Sequence, residues 1–344
     1  MHAKGWRYQL DGFHPRLAPP YRVQRYRCCH CRRRFSDQTF LATYWLKRPQ
    51  CYLPIAHGLV AGSCLRQLGR SFGLSPQTVL RHANRIGRHC ALFHEQLRPR
   101  GEITEALALD GFISFEYSQF HPTSYNILTG CQSHYFYGFT ASEQRRSGRM
   151  TSRQKKRRRE LELKFGRPDP RAVEKDVAEL LRIACAGATK LVLHSDEHQD
   201  YPLAIKAVPH LEVDHRTISS RASRTPMNPL FPVNLTDQLI RHSGANHKRE
   251  TIAFPKRRQM AIWRLQLFVT WRNYIKWTSE RKHRETPAMR LGLTERRFTL
   301  EEVLTRRLFP SRIALPERWG EYYRGRVTTR EIANCSQHRL QYAT

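Results

Sequence analysis

Residues 106–117 constrain the fold of this chain more than any other stretch. They read Ala-Leu-Ala-Leu-Asp-Gly-Phe-Ile-Ser-Phe-Glu-Tyr, an apolar run typical of a buried β-strand that Asp110 interrupts. A buried carboxylate costs free energy unless it is paired or binds a metal ion. The stretch therefore predicts a core strand whose acid has a charged partner.

A second aspartate follows a second short apolar run. Residues 191–193 read as a strand and are followed by His194-Ser195-Asp196. Two strands that each deliver an aspartate to one place indicate a divalent-metal site, because hard cations prefer carboxylate oxygens. The alternative is that each aspartate is a turn or N-cap residue at a strand end. We expect Asp110 and Asp196 to share a metal site.

Further strand and helix patterns surround these two strands. Residues 124–140 alternate, are rich in aromatic side chains and contain a turn at Gly130, which predicts two antiparallel strands. The apolar periodicity of the remaining segments predicts helices at residues 172–186, 201–208 and 259–279 and a strand at residues 211–218.

Arginine and lysine dominate the charge of the chain. They total 60 of 344 residues against 29 acids, a formal net charge of +31, which implies a polyanionic partner. Nucleic acid is favoured over an anionic membrane surface, because arginine binds phosphates and guanine edges bidentately. The densest basic run lies within residues 143–171. It is expected to be a solvated loop or helix tip that can touch phosphates, or else a disordered insertion.

The sequence also predicts where the protein resides. No apolar run is long enough for a transmembrane helix, and the N-terminus lacks the apolar core of a signal peptide. We therefore expect a cytoplasmic, nucleoid-associated protein without membrane contact, in which the nine cysteines stay reduced.

Cys28 and Cys31 have the spacing of one zinc knuckle within the aromatic and basic segment 1–50. A structural Zn²⁺ site needs four ligands, and the chain has no second Cys-x-x-Cys. Some nearby side chains could supply ligands without the spacing of a zinc ribbon: Cys29, His30, Cys51 and His57. The alternatives are a knuckle that has lost its metal and one whose first half precedes Met1.

Residues 51–97 predict helices that include a helix-turn-helix. Gly73 ends the first helix, Ser75 is a good N-cap, and Pro76 is a good first residue for the second. The second helix would bury its apolar face and turn its polar face outward, namely Gln77, Thr78, Arg81, His82 and Arg85. The alternative is an ordinary helical hairpin; the charge of the chain favours DNA binding through residues 76–88.

A third acid comes from the helix predicted at residues 234–242. Asp237 and Arg241 are four residues apart and so lie on one side of this helix. The alternative for Asp237 is an acid near the helix N-terminus that only interacts with the helix dipole. A basic connector follows and contains Arg249 and Glu250.

The order of these elements is that of a ribonuclease-H-like fold, with acids on the first strand, after the fourth strand and on a late helix. Preceded by a knuckle and a helix-turn-helix, the chain resembles the DDE transposases of bacterial insertion sequences over roughly residues 20–275. The insertion-sequence-one family is the most similar, because residues 239–254 look like the basic run after that family's third acid.

This resemblance implies an α/β protein with a ribonuclease-H-like mixed sheet and flanking helices. Its domains would be a zinc-ribbon-like segment at 1–50, a helix-turn-helix domain at 51–97, a catalytic domain at 106–280 with the insertion 143–171, and a basic tail at 281–344. The resemblance further implies a homo-oligomer that acts on double-stranded DNA at the element ends and the target.

The resemblance also implies the site chemistry. Asp110, Asp196 and Asp237 would hold two Mg²⁺ ions for phosphoryl transfer, and Arg241 and Arg249 would bind phosphates. The chain departs from the family in lacking the first zinc knuckle. It also departs at the third acid: when Arg241 is aligned with the family's helix arginine, Asn234 stands where the family has a glutamate. Asp237 is then the nearest acid, and Glu250 is the other candidate.

Two other functions stay open at this point. One is a DNA-binding relic or repressor derived from a transposase, without chemistry. The other is a structure-selective nuclease of the same fold, which has less need of a helix-turn-helix.

Overall fold

The N-terminal segment forms a small three-stranded antiparallel sheet, in a chain whose computed structural model describes residues 5–17, 19–248 and 250–332. Its strands are β1 (Tyr8–Pro15), β2 (Arg22–Cys28) and β3 (Arg34–Ser36). Aromatic rings hold the sheet together, because the Phe35 ring lies 4.8 Å from that of Trp6 and 5.1 Å from that of Tyr26. Most of β1 is exposed to solvent.

Three helices follow, at the positions predicted for the helix-turn-helix region: α1 (Tyr52–Val60), α2 (Leu65–Phe72) and α3 (Pro76–Leu97). Gly73 ends α2 with a left-handed backbone (φ 59°), which glycine adopts without steric cost. The Ser75 hydroxyl caps α3 by accepting a hydrogen bond from the Thr78 backbone N–H. The prediction of a short second helix is wrong, because α3 continues for 22 residues.

A five-stranded mixed sheet comes next. Its strands are β4 (Leu107–Phe115), β5 (Pro122–Gly130), β6 (Phe136–Glu143), β7 (Lys190–Ser195) and β8 (Glu212–Thr217). The spatial order is β6-β5-β4-β7-β8; β4, β5 and β6 pair antiparallel, and β7 is parallel to both β4 and β8. All five strands predicted from the sequence are present.

Eight further helices belong to the described part of the structure, some packed on this sheet and others on the helices around it. They are α4 (Ser152–Phe165), α5 (Ala172–Ala184), α6 (Asp200–Lys206), α7 (Phe231–Ser243), α8 (Arg258–Thr270), α9 (Pro287–Arg290), α10 (Leu300–Thr305) and α11 (Glu317–Arg324). A π-helical turn, Trp271–Ile275, extends α8. Within the basic run 143–171, residues 152–165 form the mostly exposed helix α4, whose start is stabilised by a capping box of Thr151 and Gln154.

The hydrophobic core is continuous from α1 to the C-terminal helices. One cluster joins Ile55 of α1 and Ile86 of α3 to Leu107 and Leu193 of the sheet. Helix α3 packs closely on α8, since a Cβ at Gly87 would lie 2.3 Å from the Trp263 carbonyl oxygen. The segment 51–97 therefore shares its core with the sheet.

The described part of the predicted basic tail from residue 281 contains three helices, α9, α10 and α11. Trp319, Tyr322 and Tyr323 of α11 are each at most 2% exposed. Farther on, the Arg330 guanidinium donates to Glu143 at the end of β6 (2.7 Å), and Glu143 also accepts from the buried Arg258 (2.7 Å). These contacts make residues 287–332 part of the folded body.

Candidate active site

The register of two parallel strands brings the first two predicted acids together. Leu109 of β4 is paired with Ser195 of β7. Asp110 and Asp196 follow these paired residues directly, so they lie side by side where the two strands leave their pairing. The register places the two predicted acids next to each other at neighbouring strands, and the two carboxylates interact electrostatically.

Helix α7 supplies the third acid. It packs across β4 and β5, and Asp237 is its seventh residue. The alternative interpretation of Asp237 as an acid of the first helical turn is wrong, because the helix begins at Phe231 and its first turn contains no acid. Asp237 interacts electrostatically with Asp110 across the gap between helix and strand.

The three aspartates line one open cleft of about 620 Å³. The cleft is lined by Asp110, Gly111, Phe112, Ile113, Asp196, Arg224, Asn234, Asp237, Gln238 and Arg241. Asn234 and Asp237 both belong to this wall, one helical turn apart. Glu250, the other candidate for the third acid, is exposed and is not part of the lining. Arg249 lies outside the described residues.

Burial and mutual repulsion disfavour the ionised acids. Burial raises the pKa of Asp110 to about 6, and the neighbouring Asp196 carboxylate contributes to the rise. Burial also raises the pKa of Asp237 to about 8, with a further contribution from Asp110. The positive charges of Arg224 and Arg241 oppose the rise at Asp237 without cancelling it. The cleft thus concentrates negative charge that two arginines only partly offset.

Hydrogen bonds fix two of the carboxylates and leave the third incompletely bonded. Asp110 Oδ1 accepts from the Gly111 backbone N–H (2.7 Å), and Asp196 Oδ1 accepts from that of His198 (3.1 Å). Oδ1 of Asp237 is buried and accepts no hydrogen bond. Glycine at position 111 allows the Ser124 hydroxyl to approach the strand closely, since a Cβ there would lie 2.8 Å from Ser124 Oγ.

The donor chemistry of the cleft suits a hard divalent cation. Carboxylate oxygens are the preferred ligands of Mg²⁺, and the unbonded Asp237 oxygen is a buried acceptor in need of a partner. Within the described ranges, no three His, Cys, Asp or Glu side chains are grouped closely enough to hold a metal ion. Asp110, Asp196 and Asp237 are the carboxylates of the cleft that would hold such a cation.

Arg241 links the helix to the strand that carries Asp110. Its guanidinium donates to the carbonyl oxygens of His247 (3.2 Å) and Ile113 (3.4 Å) and lies 5.2 Å from the centroid of the Phe112 ring. The predicted placement of Arg241 beside Asp237 is confirmed by its position in the same wall. These contacts hold its positive charge at the rim of the cleft.

Two residues of the cleft region were not predicted from the sequence. Arg224 comes from the segment between β8 and α7, is exposed and acts electrostatically on both Asp110 and Asp237. No motif surrounds it. Tyr201 of α6 is buried, and the charges of all three aspartates help to raise its pKa. The sequence identifies Tyr201 only as the start of a predicted helix.

The predicted DNA-binding helix is only partly exposed. Gln77 and Arg81 near the start of α3 are exposed, and Thr78 is half-buried. The prediction that His82 and Arg85 face outward is wrong: they are 3% and 9% exposed. Most of α3 after its first two turns is covered, because α1, α8, α10 and α11 all pack against it.

Cys28 and Cys31 lie together at the end of β2, but further ligands do not join them. The Cys31 backbone N–H and the Trp6 indole N–H (3.2 Å) lower the pKa of the Cys28 thiol to about 7. A low thiol pKa favours the thiolate that binds zinc. No group of three metal ligands includes these cysteines among the described residues.

No protein-family model and no curated protein matches this chain. In the described part of the structure, no helix combines the length and apolarity that a membrane span requires.

Proposed function

We propose that this protein is a DDE-type transposase that binds the ends of an insertion sequence and catalyses metal-dependent cleavage and transfer of DNA strands. One observation carries the proposal. Asp110, Asp196 and Asp237 come from three distant parts of the sequence and line one open cleft. A solvent-accessible cleft with three carboxylates suits phosphoryl transfer on a large, anionic substrate.

The strand order supports the same proposal. Three antiparallel strands followed by two parallel ones, arranged β6-β5-β4-β7-β8, match what we expect of a ribonuclease-H-like fold. Asp110 lies on the first of these strands and Asp196 directly after the fourth. Asp237 lies on the helix that follows the fifth. The order is a fold-level argument, and the chemistry is argued from the cleft itself.

In the proposed reaction, Asp110, Asp196 and Asp237 would together hold the two Mg²⁺ ions. When bound, the ions would activate the attacking water or 3′-hydroxyl and stabilise the leaving oxygen. Arg224 and Arg241 would bind phosphate oxygens, because guanidinium groups match the geometry of phosphate. Asp237 would have to lose its proton, which its pKa of about 8 makes unfavourable until positive charge enters the cleft.

DNA binding is proposed for two further surfaces. Gln77 and Arg81 at the exposed start of α3 would enter the major groove, and the basic helix α4 would contact the DNA backbone. Bringing two element ends together requires at least two copies, so we propose a homo-oligomer associated with the nucleoid.

The proposal is tested on a plasmid that carries the gene with its natural flanking DNA. Purified protein with Mg²⁺ should cut near the element ends, and Asp110→Asn, Asp196→Asn and Asp237→Asn should each abolish cutting while retaining DNA binding. Glu250→Gln is the matched control and should cut normally. Full activity of Asp110→Asn would overturn the proposal.

A DNA-binding protein without chemistry is the second candidate. It is favoured by the exposed start of α3 and the exposed basic helix α4, which would bind DNA without needing the acidic cleft. In that case the wild-type protein would bind the flanking DNA but leave it intact with either Mg²⁺ or Mn²⁺. Calorimetric titration with Mg²⁺ would then show no binding that depends on Asp110.

A further inference from the structure

A cluster of buried polar side chains lies outside the acidic cleft, on the part of α3 that packs against α1, α10 and α11. Several of its atoms have no hydrogen-bond partner, namely Tyr52 Oη, His82 Nδ1, and Nε and Nη2 of Arg85. Tyr52, His82 and Arg85 are 1%, 3% and 9% exposed. Buried polar atoms are nearly always hydrogen-bonded, so this concentration of unbonded groups needs an explanation.

The charge of the cluster is uncompensated as well. No ion pair joins Arg85 to a described carboxylate, and the ionisable groups near it are the Tyr52 phenol, the like-charged Arg307 and the Tyr323 phenol. Arg85 in turn acts on Arg88 and on His82, where it opposes protonation. A buried cation with cationic neighbours costs several kcal/mol unless an anion or a hydrogen-bonding partner accompanies it.

A cavity that is open to the surface lies near this cluster. It has a volume of about 530 Å³, and its wall includes Arg307, Phe309, Tyr323 and Arg324. The Arg307 guanidinium is held between rings, 4.5 Å from the centroid of Tyr44 and 5.0 Å from that of Phe309. Arg307 and Tyr323 line the cavity and also act electrostatically on Arg85. An anion that enters the cavity would therefore contact Arg307 and Arg324, and Arg307 lies close enough to Arg85 to act on it electrostatically.

We infer that this cluster and the nearby cavity form a binding site for a small oxyanion of the phosphate class, either inorganic phosphate or the terminal phosphate of a nucleic-acid strand. The unbonded Nε and Nη2 of Arg85 form the fork that matches two oxyanion oxygens. The Tyr52 hydroxyl is a further donor. A phosphodiester within a DNA strand carries sugars on both sides and is too bulky to reach atoms that have lost all solvent contact, so a terminal phosphate is required.

The first test is thermal unfolding of the full chain in phosphate and in chloride at equal ionic strength. The Tm should rise with the logarithm of phosphate concentration above the dissociation constant, because the anion binds the folded state. Arg85→Gln should lose this phosphate-dependent rise without a lower Tm in chloride, since it removes an unpaired buried charge. Arg159→Gln makes the same charge change at an exposed position of α4 and should keep the rise.

A second variant covers the case in which Arg85→Gln does not fold. Tyr52→Phe removes only a hydroxyl that has no partner, so it should fold normally and weaken phosphate binding at least severalfold by calorimetry. Oligonucleotides with a 5′-phosphate or a 5′-hydroxyl then distinguish the sources. Tighter binding of the phosphorylated strand that depends on Tyr52 identifies a strand end, whereas binding of inorganic phosphate alone identifies the free anion.

Two results would overturn the inference. One is an equal Tm in phosphate and chloride, which would mean that ordered water alone fills the cluster. The other is a phosphate-dependent rise that Arg85→Gln and Tyr52→Phe leave unchanged, which would place phosphate elsewhere on this basic protein.

Discussion

Ionisation of Asp237 is opposed twice, by burial in the cleft wall and by the charge of Asp110. With a pKa of about 8, this carboxyl is mostly protonated at neutral pH, whereas Asp110, with a pKa of about 6, is mostly ionised. Arg224 and Arg241 act in the opposite direction. Because a cation in the cleft would favour the ionised form, metal binding should release a proton from Asp237.

The pH dependence of stability follows from the same shift. Asp237 titrates near 3.8 when unperturbed and near 8 in the folded protein, so the folded state holds the extra proton between these values. Its contribution to stability is therefore lost as the pH rises from about 4 to about 8. Asp237→Asn cannot ionise, so its Tm should exceed that of the wild type by an amount that grows from pH 5 to pH 8.

Thermal melts of both proteins at pH 5, 6, 7 and 8 provide the measurement. A gain of about 2 °C is expected for each kcal/mol of relieved ionisation cost. Adding Mg²⁺ at pH 8 should raise the Tm of the wild type more than that of Asp237→Asn. A Tm difference that does not vary with pH would show that the surroundings of Asp237 do not raise its pKa.

Arg224 is the cleft residue for which mutation is most informative, because it is exposed and its loss should not disturb folding. If it binds a phosphate oxygen, Arg224→Ala should lower the cleavage efficiency about tenfold to a hundredfold, the value of one charge-assisted hydrogen bond. Arg221→Ala is the matched control, since Arg221 is exposed in the same segment but does not line the cleft. Equal loss in the two variants would reduce the role of Arg224 to general electrostatic attraction.

Helix α3 has two different environments along its length. Its first two turns present Gln77 and Arg81 to solvent, and the turn before it is built by Gly73 and Ser75. Beyond His82 the helix is a core element that packs against α8. Any direct DNA contact of α3 is therefore expected at its N-terminal end.

Arg81→Ala tests this division of α3. If Arg81 reads a base, the variant should lose roughly 1–3 kcal/mol of discrimination between specific and random duplexes. Its Tm should be unchanged, because Arg81 is exposed. Equal loss on both duplexes would make Arg81 a phosphate contact, and no loss on either would remove α3 from DNA recognition.

The start of α3 was predictable because its signals are local. Glycine, serine and proline each act through their own backbone or cap. The length of α3 and the burial of Arg85 were not predictable. Periodicity identifies the apolar face of a helix, but it does not show whether other elements cover the polar face. The same holds in the cleft: Asp110, Asp196 and Asp237 could be found from strand and helix patterns, whereas Arg224 lies in a segment without a pattern.

At the scale of the whole molecule, one core connects the N-terminal helices, the five-stranded sheet and the C-terminal helices. The strands were predictable because each has a pattern, either an apolar run or an alternation, that is local in the sequence. The C-terminal helices were not, because their aromatic residues are scattered among prolines and charges. Trp319 and Tyr322 become core residues only through the surfaces of β6 and α8 against which they pack.

The net charge of +31 should appear in the salt dependence of DNA binding. Lys155, Lys156 and Arg159 are exposed on α4. Replacing all three with glutamine should flatten the slope of log affinity against log salt by up to about 2.7, at roughly 0.9 per phosphate contact. Site preference should not change, because phosphate contacts carry no sequence information.

Binding isotherms between low and physiological salt provide this measurement. The matched control replaces three exposed basic residues of other elements, Arg182, Lys190 and Lys206. An unchanged slope in the α4 variant would mean that this helix is only a solvated insertion.

The close packing of α3 on α8 has a consequence for how the protein would measure distance along DNA. At Gly87 the two helices approach so closely that no side chain fits between them, and α8 also packs on α7, which carries Asp237. The exposed end of α3 and the acidic cleft are therefore held at a fixed distance from each other. A chain built in this way would cut at a constant number of base pairs from the sequence it recognises, and lengthening the DNA between the two points would leave the cleft facing the wrong phosphate.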